Sequence, residues 1–311
     1  MTTLSRRRFL TISASAGAAL AIGGAAQAAP LYRWQGMALG ASASITLAHP
    51  EAERITARAR QEIERLEQIF SLHRPDSALA RLNRDAVLAN PPFELLECLG
   101  QCGAVHAATG GAFDPSVQPL WTLYAEAAAR GGYPDAGEIE ATLPLVGWQQ
   151  VAFDSSEIRL ARPGMALTLN GIAQGYIADR VVALLRREGL EDVLVDTGEM
   201  RAIGAMPGAP EGWPVSLQIG EETLRDALRL REMALASSAP LGTVLDAQGR
   251  IGHVMDPTSG RPAPARWQLV SITAPSAAIA DALSTAGCLM QEAALQRAVA
   301  GFAGAAIAHL A

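Results

Sequence analysis

Two side chains in residues 267–290, WQLVSITAPSAAIADALSTAGCLM, have the type and spacing to bind a hard cation: Asp281 and Thr285. Pro275 and Ser276 end a run that alternates bulky with small or polar residues, and residues 277–290 then predict an apolar helix. Four residues apart on a helix, Asp281 and Thr285 stand one above the other on one face. A carboxylate and a hydroxyl so placed suit Mg²⁺, which takes oxygen ligands and shares them with phosphates. The same pair also fits a first-turn acid that complements the helix dipole and a threonine that fills core space. Spacing alone leaves both readings open.

Residues 167–180, LTLNGIAQGYIADR, add a second candidate. A strand over 167–169, a turn through Gly171 and Gly175, and a helix with Ile177, Val181, Leu184 and Leu185 inward make a recipe for holding phosphate on backbone N–H groups. Glycines at such turns also serve geometry alone. Residues 252–260, GHVMDPTSG, form a turn-rich loop carrying His253 and Asp256. His73 lies in another loop, where a lone histidine is more often structural than catalytic. Gly40, followed by Ala41 and Ser42, permits close backbone approach or a tight sheet crossing.

These groups need a scaffold. Residues 34–48 read as extended, and 51–70 as an amphipathic helix with Ile55, Ala59, Ile63, Leu66, Ile69 and Phe70 on one stripe. A loop follows, with Asp76 or Ser77 as helix cap. A second helix spans 93–107, and Asp114-Pro115 forces a turn. Residues 125–148 are weakly patterned and read as a surface excursion, whereas 151–160 predict a hairpin about Asp154-Ser155-Ser156. Strands are expected at 192–196, 214–219, 228–238 and 267–273, with a loop or tight hairpin over 197–208 and a closing helix and strand over 291–311.

Ser5-Arg6-Arg7-Arg8-Phe9-Leu10, a soft apolar run and Ala26-Gln27-Ala28 predict a twin-arginine export signal over residues 1–28, leaving a mature chain of 29–311 in the periplasm. Losing Arg6, Arg7 and Arg8 takes the formal charge from −6 to −9, which argues against nucleic acid or an anionic membrane as partner. Cys98, Cys102 and Cys288 read as structural thiols.

Taken in order, the Gly40 segment, SLHRPDSALARLN, AFDPSVQPLW, LNGIAQGYIADR, VDTGEMRAIG, ALASSA, HVMDPTSGRP and IADALSTA resemble the FAD:protein FMN transferases, the ApbE-like flavin transferases. The resemblance spans nearly the whole mature chain. It implies a single α+β domain of mixed sheets flanked by helices, with a nucleotide cleft between two α/β lobes. It also implies Mg²⁺-dependent transfer of FMN from FAD to a Ser or Thr hydroxyl of an exported acceptor flavoprotein, releasing AMP. Such an acceptor would be a periplasmic or membrane-bound respiratory protein. By the same resemblance Asp281, Thr285 and the Gly171 carbonyl hold the metal, and His253 is the candidate general base. Leu39, His73, Ala112, Phe113, Asp114, Thr168, Gln174 and Val254 are the implied FAD contacts.

The chain departs from the family pattern at Leu39-Gly40-Ala41 in place of Met-Gly-Thr, and at His73 in place of an aromatic. Thr168 replaces an aspartate, Gln174 a lysine, and Thr197-Gly198-Glu199 a double glycine followed by an acid. The Thr168 and Gln174 changes read as a compensated charge pair, or as weakened FAD affinity or an altered acceptor. With the metal residues and the histidine present, the pattern favours a working transferase. FAD pyrophosphatase activity, with water as acceptor, and a non-catalytic flavin-binding role are the competing readings.

Overall fold

A computed structural model describes residues 30–219 and 222–311; the tract read as an export signal lies outside them. The chain opens with a hairpin of β1 (Leu31–Ala38) and β2 (Ala41–Ala48), where a single extended segment was expected. Its two-residue turn places Leu39 and Gly40 at φ of 47° and 78°, the left-handed pair that a tight hairpin turn requires. In α1 (Ala52–Phe70), Ile55, Ala59, Ile63, Leu66, Ile69 and Phe70 are all buried, as the stripe predicted. Each large side chain on that stripe contributes roughly 1.5–3 kcal/mol by leaving water. Ser77 rather than Asp76 caps α2 (Ala78–Asp85), its hydroxyl accepting from Ala80 N at 3.0 Å.

Next come β3 (Val87–Ala89), α3 (Phe93–Ala108), α4 (Gln118–Ala129) and α5 (Ala136–Thr142). The last two correct the expected surface excursion. Leu120, Tyr124 and Ile139 form a small core with Ile251 and Met255, more than a hundred residues further on. The alanine-rich stretch looked unpatterned because its apolar partners are distant in sequence.

Strands β4 (Val151–Phe153) and β5 (Glu157–Leu160) make the predicted hairpin, and β3 joins them in a three-stranded sheet. Helix α6 (Ala173–Arg187) is followed by β6 (Val193–Asp196), β7 (Met200–Ile203), the ribbon of β8 (Trp213–Ile219) and β9 (Glu222–Leu230), and β10 (Ala234–Ser238). The chain closes with β11 (Val270–Ala274), α7 (Ala277–Gly287), α8 (Glu292–Ala300) and β12 (Ala306–Leu310). Residues 167–169 join no sheet, so the expected strand there is absent.

The main sheet runs β1-β2-β6-β7-β10-β11-β12. Every strand pairing among the described residues is antiparallel, which narrows the expected mixed sheets. Alternation along the strands feeds both faces. Val193, Val195, Ile203, Ala234 and Ala236 join the helical core, while Leu194, Met200, Ala202 and Leu235 pack under the β8–β9 ribbon. The result is one α+β domain. The three cysteines are buried free thiols.

Helix α7 is buried on nearly all sides, because its alanines let neighbouring backbones approach. A Cβ at Gly175 would overlap the Ala277 carbonyl and lie 2.6 Å from the Ala278 nitrogen. Gly175→Ala is therefore expected to cost about 2–3 kcal/mol by forcing α6 and α7 apart. Chemical denaturation measures this, and a loss under about 0.5 kcal/mol would contradict so close a crossing.

Candidate functional site

The site forms where the N-terminal ends of α6 and α7 meet the end of β10. Asp179, on α6, anchors that junction. Its carboxylate accepts from Ser276 Oγ (2.7 Å), Ala277 N (2.9 Å) and Ala278 N (3.1 Å), and Arg201 Nε lies 3.2 Å away. Ser276 Oγ accepts in turn from Ile279 N, capping α7. An acid at a helix N-terminus satisfies otherwise unpaired N–H groups and complements the dipole. This role was not assigned from sequence, because 97 residues separate Asp179 from Ser276.

One turn into α7, Asp281 is 3% exposed. Its carboxylate has a single long hydrogen bond, from Gly175 N at 3.3 Å. Burial pushes its pKa up to about 8, with the Gly175 N–H pulling the other way. Thr285 stands on the same face, and a Cβ on Gly171 would lie 2.8 Å from Thr285 Oγ1. The three residues named for a metal are thus brought together. Ser238, at the end of β10, reaches Ser284 Oγ (2.8 Å) and Thr285 Oγ1 (3.4 Å).

Glu199 completes the acidic side of this junction. It is 7% exposed, accepts from Ser237 N at 3.2 Å, and is driven well above the usual carboxylate range by burial and then by the Asp281 charge. No arginine contributes to the environment of either carboxylate among the described residues, and the chain has no lysine. Two buried acids without a basic partner favour protonation or a bound cation. A carboxylate, a hydroxyl and a carbonyl are hard oxygen donors throughout, so Asp281, Thr285 and Gly171 fit Mg²⁺.

Gln174 folds over the turn between β6 and β7. A Cβ at Gly198, whose φ is 103°, would lie 2.7 Å from Gln174 Nε2, and Thr197 Oγ1 donates to the main-chain carbonyl of Gln174 at 2.8 Å. Thr168 is half-buried on the segment leading to Gly171. Its N–H donates to Pro115 O (2.8 Å), and its hydroxyl accepts from Asn170 N (3.3 Å).

His253 lies on a loop that folds back on itself. Leu245 N donates to Ile251 O, and Asp246 Oδ1 accepts from Arg250 N and Ile251 N, both at 2.7 Å. This closure brings the Thr243 carbonyl to 3.1 Å from His253 Nδ1. A carbonyl only accepts, so Nδ1 carries the proton and Nε2 keeps the lone pair. Burial lowers the imidazole's pKa, with the Thr243 bond opposing. Asp256 braces the next turn, accepting from Thr258 N (2.9 Å) and Ser259 Oγ (2.7 Å); it fixes the loop rather than His253. Val254, beside the histidine, is buried in the main core.

The remaining predicted contacts come from two other turns. Leu39 N donates to Glu67 Oε1 at 2.7 Å, and Glu67 also holds Arg74, so the β1–β2 turn is tied to α1 and to the loop carrying the exposed His73. Ala112, Phe113 and Asp114 follow α3. The Asp114 carboxylate accepts from Ser116 N (2.8 Å), Ser116 Oγ (2.6 Å) and Trp148 N (3.0 Å). Its oxygens are thus engaged within the protein, and so is most of the turn's backbone: Ala112 N donates to Thr109 O (3.3 Å), Phe113 N to Thr109 Oγ1 (3.1 Å), and Phe113 O lies 2.8 Å from His106 Nδ1.

The chain is similar in sequence and fold to known proteins. The chain is 28% identical over 245 residues to an FAD:protein FMN transferase of Klebsiella pneumoniae, covering 75% of this chain and 74% of that protein. Its fold superposes on the ApbE protein of Thermotoga maritima with a TM-score of 0.77 at 27% identity, over 87% of this chain and 90% of the other. The apo flavinyl transferase ApbE of Pseudomonas stutzeri gives 0.75 at 25% identity, over 88% of both chains. Residues 39–307 match the ApbE family itself, and the chain belongs to that family.

Proposed function

We propose that this chain is a Mg²⁺-dependent FAD:protein FMN transferase that moves FMN from FAD to a Ser or Thr hydroxyl of an acceptor protein and releases AMP. The observation that carries the reading is the convergence of Gly171, Asp281 and Thr285 around a buried carboxylate that lacks a basic partner. A relative that shares 28% of its residues bears the name of this activity.

In the proposed reaction the acceptor oxygen forms a bond to the FMN phosphorus, while the phosphorus–oxygen bond to the AMP phosphate breaks. His253 Nε2 takes the hydroxyl proton, and the electron pair leaves on AMP. Bound through Asp281, Thr285 and the Gly171 carbonyl, Mg²⁺ would supply charge neutralisation at the pyrophosphate. Leu39, His73, Ala112, Phe113, Asp114, Thr168, Gln174 and Val254 are the proposed FAD-lining residues. Placing Gln174 against Gly198 supports a neutral, hydrogen-bonding edge where the family carries lysine.

Residues 1–28 support export through the twin-arginine route, and hence a periplasmic or membrane-bound respiratory flavoprotein as acceptor. The test is mass spectrometry of a Thr-containing periplasmic acceptor domain after incubation with the mature chain, FAD and Mg²⁺. A gain of one FMN that requires the metal is the expected result. Free FMN and AMP without a modified acceptor would make the chain a pyrophosphatase. Intact bound FAD would make it a flavin-binding protein.

The acidity of Asp281 supplies an independent check. Its folded pKa of about 8 lies above the ordinary carboxylate value near 4, so the metal-free fold holds a proton that the unfolded chain lacks. Metal-free stability should therefore fall as pH rises from about 4 through about 8. Mg²⁺ replaces that proton, so the rise in melting temperature on adding Mg²⁺ should grow across the same window. Equal shifts at pH of about 6 and about 8.5 would remove Asp281 as a ligand.

A further inference from the structure

The Gly171 carbonyl and Thr168 sit on a backbone segment, residues 161–172, that belongs to no sheet. A segment with no ladder must find other partners for its buried peptide groups. Leu167 is fully buried, and one side chain serves both of its backbone groups. Asn83 Nδ2 donates to Leu167 O at 2.8 Å, and Leu167 N donates to Asn83 Oδ1 at 2.7 Å, across 84 residues. The planar amide thus pairs with the peptide as a neighbouring strand would. Four residues later the chain reaches Gly171, facing Thr285.

Asn83 is itself firmly placed. It lies on α2, whose Leu79 and Leu82 are fully buried and whose N-terminus is held by Ser77, which also donates to Ser71 O. Residues 71–83 therefore carry both the proposed FAD contact His73 and this clamp. Pro115 O, beside the proposed contact Asp114, holds the next residue by accepting from Thr168 N.

We propose that Asn83 is a positioning residue for the metal and nucleotide site, its amide standing in for a missing strand so that the Gly171 carbonyl and Thr168 meet their ligands. The proposal rests on the metal reading given above. Removing the clamp leaves two buried peptide groups unpaired and lets the segment shift, and loss of a group that orients a ligand costs about 10–100-fold in metal affinity.

The experiment compares the full chain with Asn83→Ala and Asn83→Asp. Asn83→Asp keeps the size and the acceptor but turns a carboxylate toward the Leu167 carbonyl, so it tests the clamp even where Asn83→Ala fails to fold. Mn²⁺ affinity is read by electron paramagnetic resonance, and backbone motion by hydrogen exchange with mass spectrometry. The expected result is Mn²⁺ binding weakened about 10–100-fold, with faster exchange confined to residues 165–171. Unchanged Mn²⁺ affinity in a folded variant overturns the proposal, as does exchange raised evenly through α2 and the main sheet. Were the unaltered chain to bind no Mn²⁺, the metal reading would fall by itself. Exchange at 165–171 then decides the clamp: unchanged protection in Asn83→Asp removes it, and local loss of protection retains it.

Discussion

Asp281→Ala is expected to eliminate Mg²⁺-dependent turnover, a loss on the order of a thousandfold, while leaving the fold intact. The two effects separate because the carboxylate does so little for the metal-free structure. Its one hydrogen bond, from Gly175 N, is long, and burial already disfavours its charge. Replacing a desolvated acid by a methyl group removes a cost rather than a support. The metal-free variant should therefore melt no lower than the parent near pH 8, and it should lose the melting-temperature rise that Mg²⁺ produces. Turnover measured against Mg²⁺ concentration, beside thermal denaturation with and without the ion, checks both halves. Retained activity would dismiss the metal assignment, and a collapsed fold would make Asp281 a structural acid.

His253→Ala is expected to lower kcat by about 10²–10⁴-fold with little change in FAD affinity, since a positioned base acts on the proton in flight and not on the bound nucleotide. The Thr243 carbonyl fixes the tautomer, leaving Nε2 to accept. Burial lowers the imidazole's pKa, so the base form persists to pH values below the ordinary histidine range near 6.5. The rate should then hold as pH falls past that value and drop only once the imidazole protonates at its lowered pKa. Single-turnover rates across pH, set beside FAD titrations by fluorescence quenching, separate the effects. Equal losses in rate and FAD affinity would make His253 a binding residue instead.

The departures from the family pattern look different with the structure in view. Gln174 does not leave a hole where a lysine would be; its side-chain amide covers the Gly198 turn. All 25 basic residues of the chain are arginines, so the absence of a lysine there follows a habit of the whole sequence. The Asp114 carboxylate, by contrast, braces its own turn and Trp148.

Short-range pattern determined a good deal. The stripe of α1, the β4–β5 hairpin, the alanine-rich α7 and the Asp281–Thr285 pair were legible because each depends on residues within a turn or two. The family motifs, spread over the chain, named the remaining site residues together. What those residues do to one another was decided in three dimensions. Asp179 of α6 at the N-terminus of α7, Glu199 beside Asp281, Asn83 paired with Leu167, and α4 and α5 beneath the His253 loop each join segments far apart in sequence. Periodicity reports which face of an element is apolar, but not which distant backbone or carboxylate will meet it. Burial and the pairing of its polar groups are properties of the packed chain, and from them come the raised acidity of Asp281, the tautomer of His253 and the clamp at Leu167.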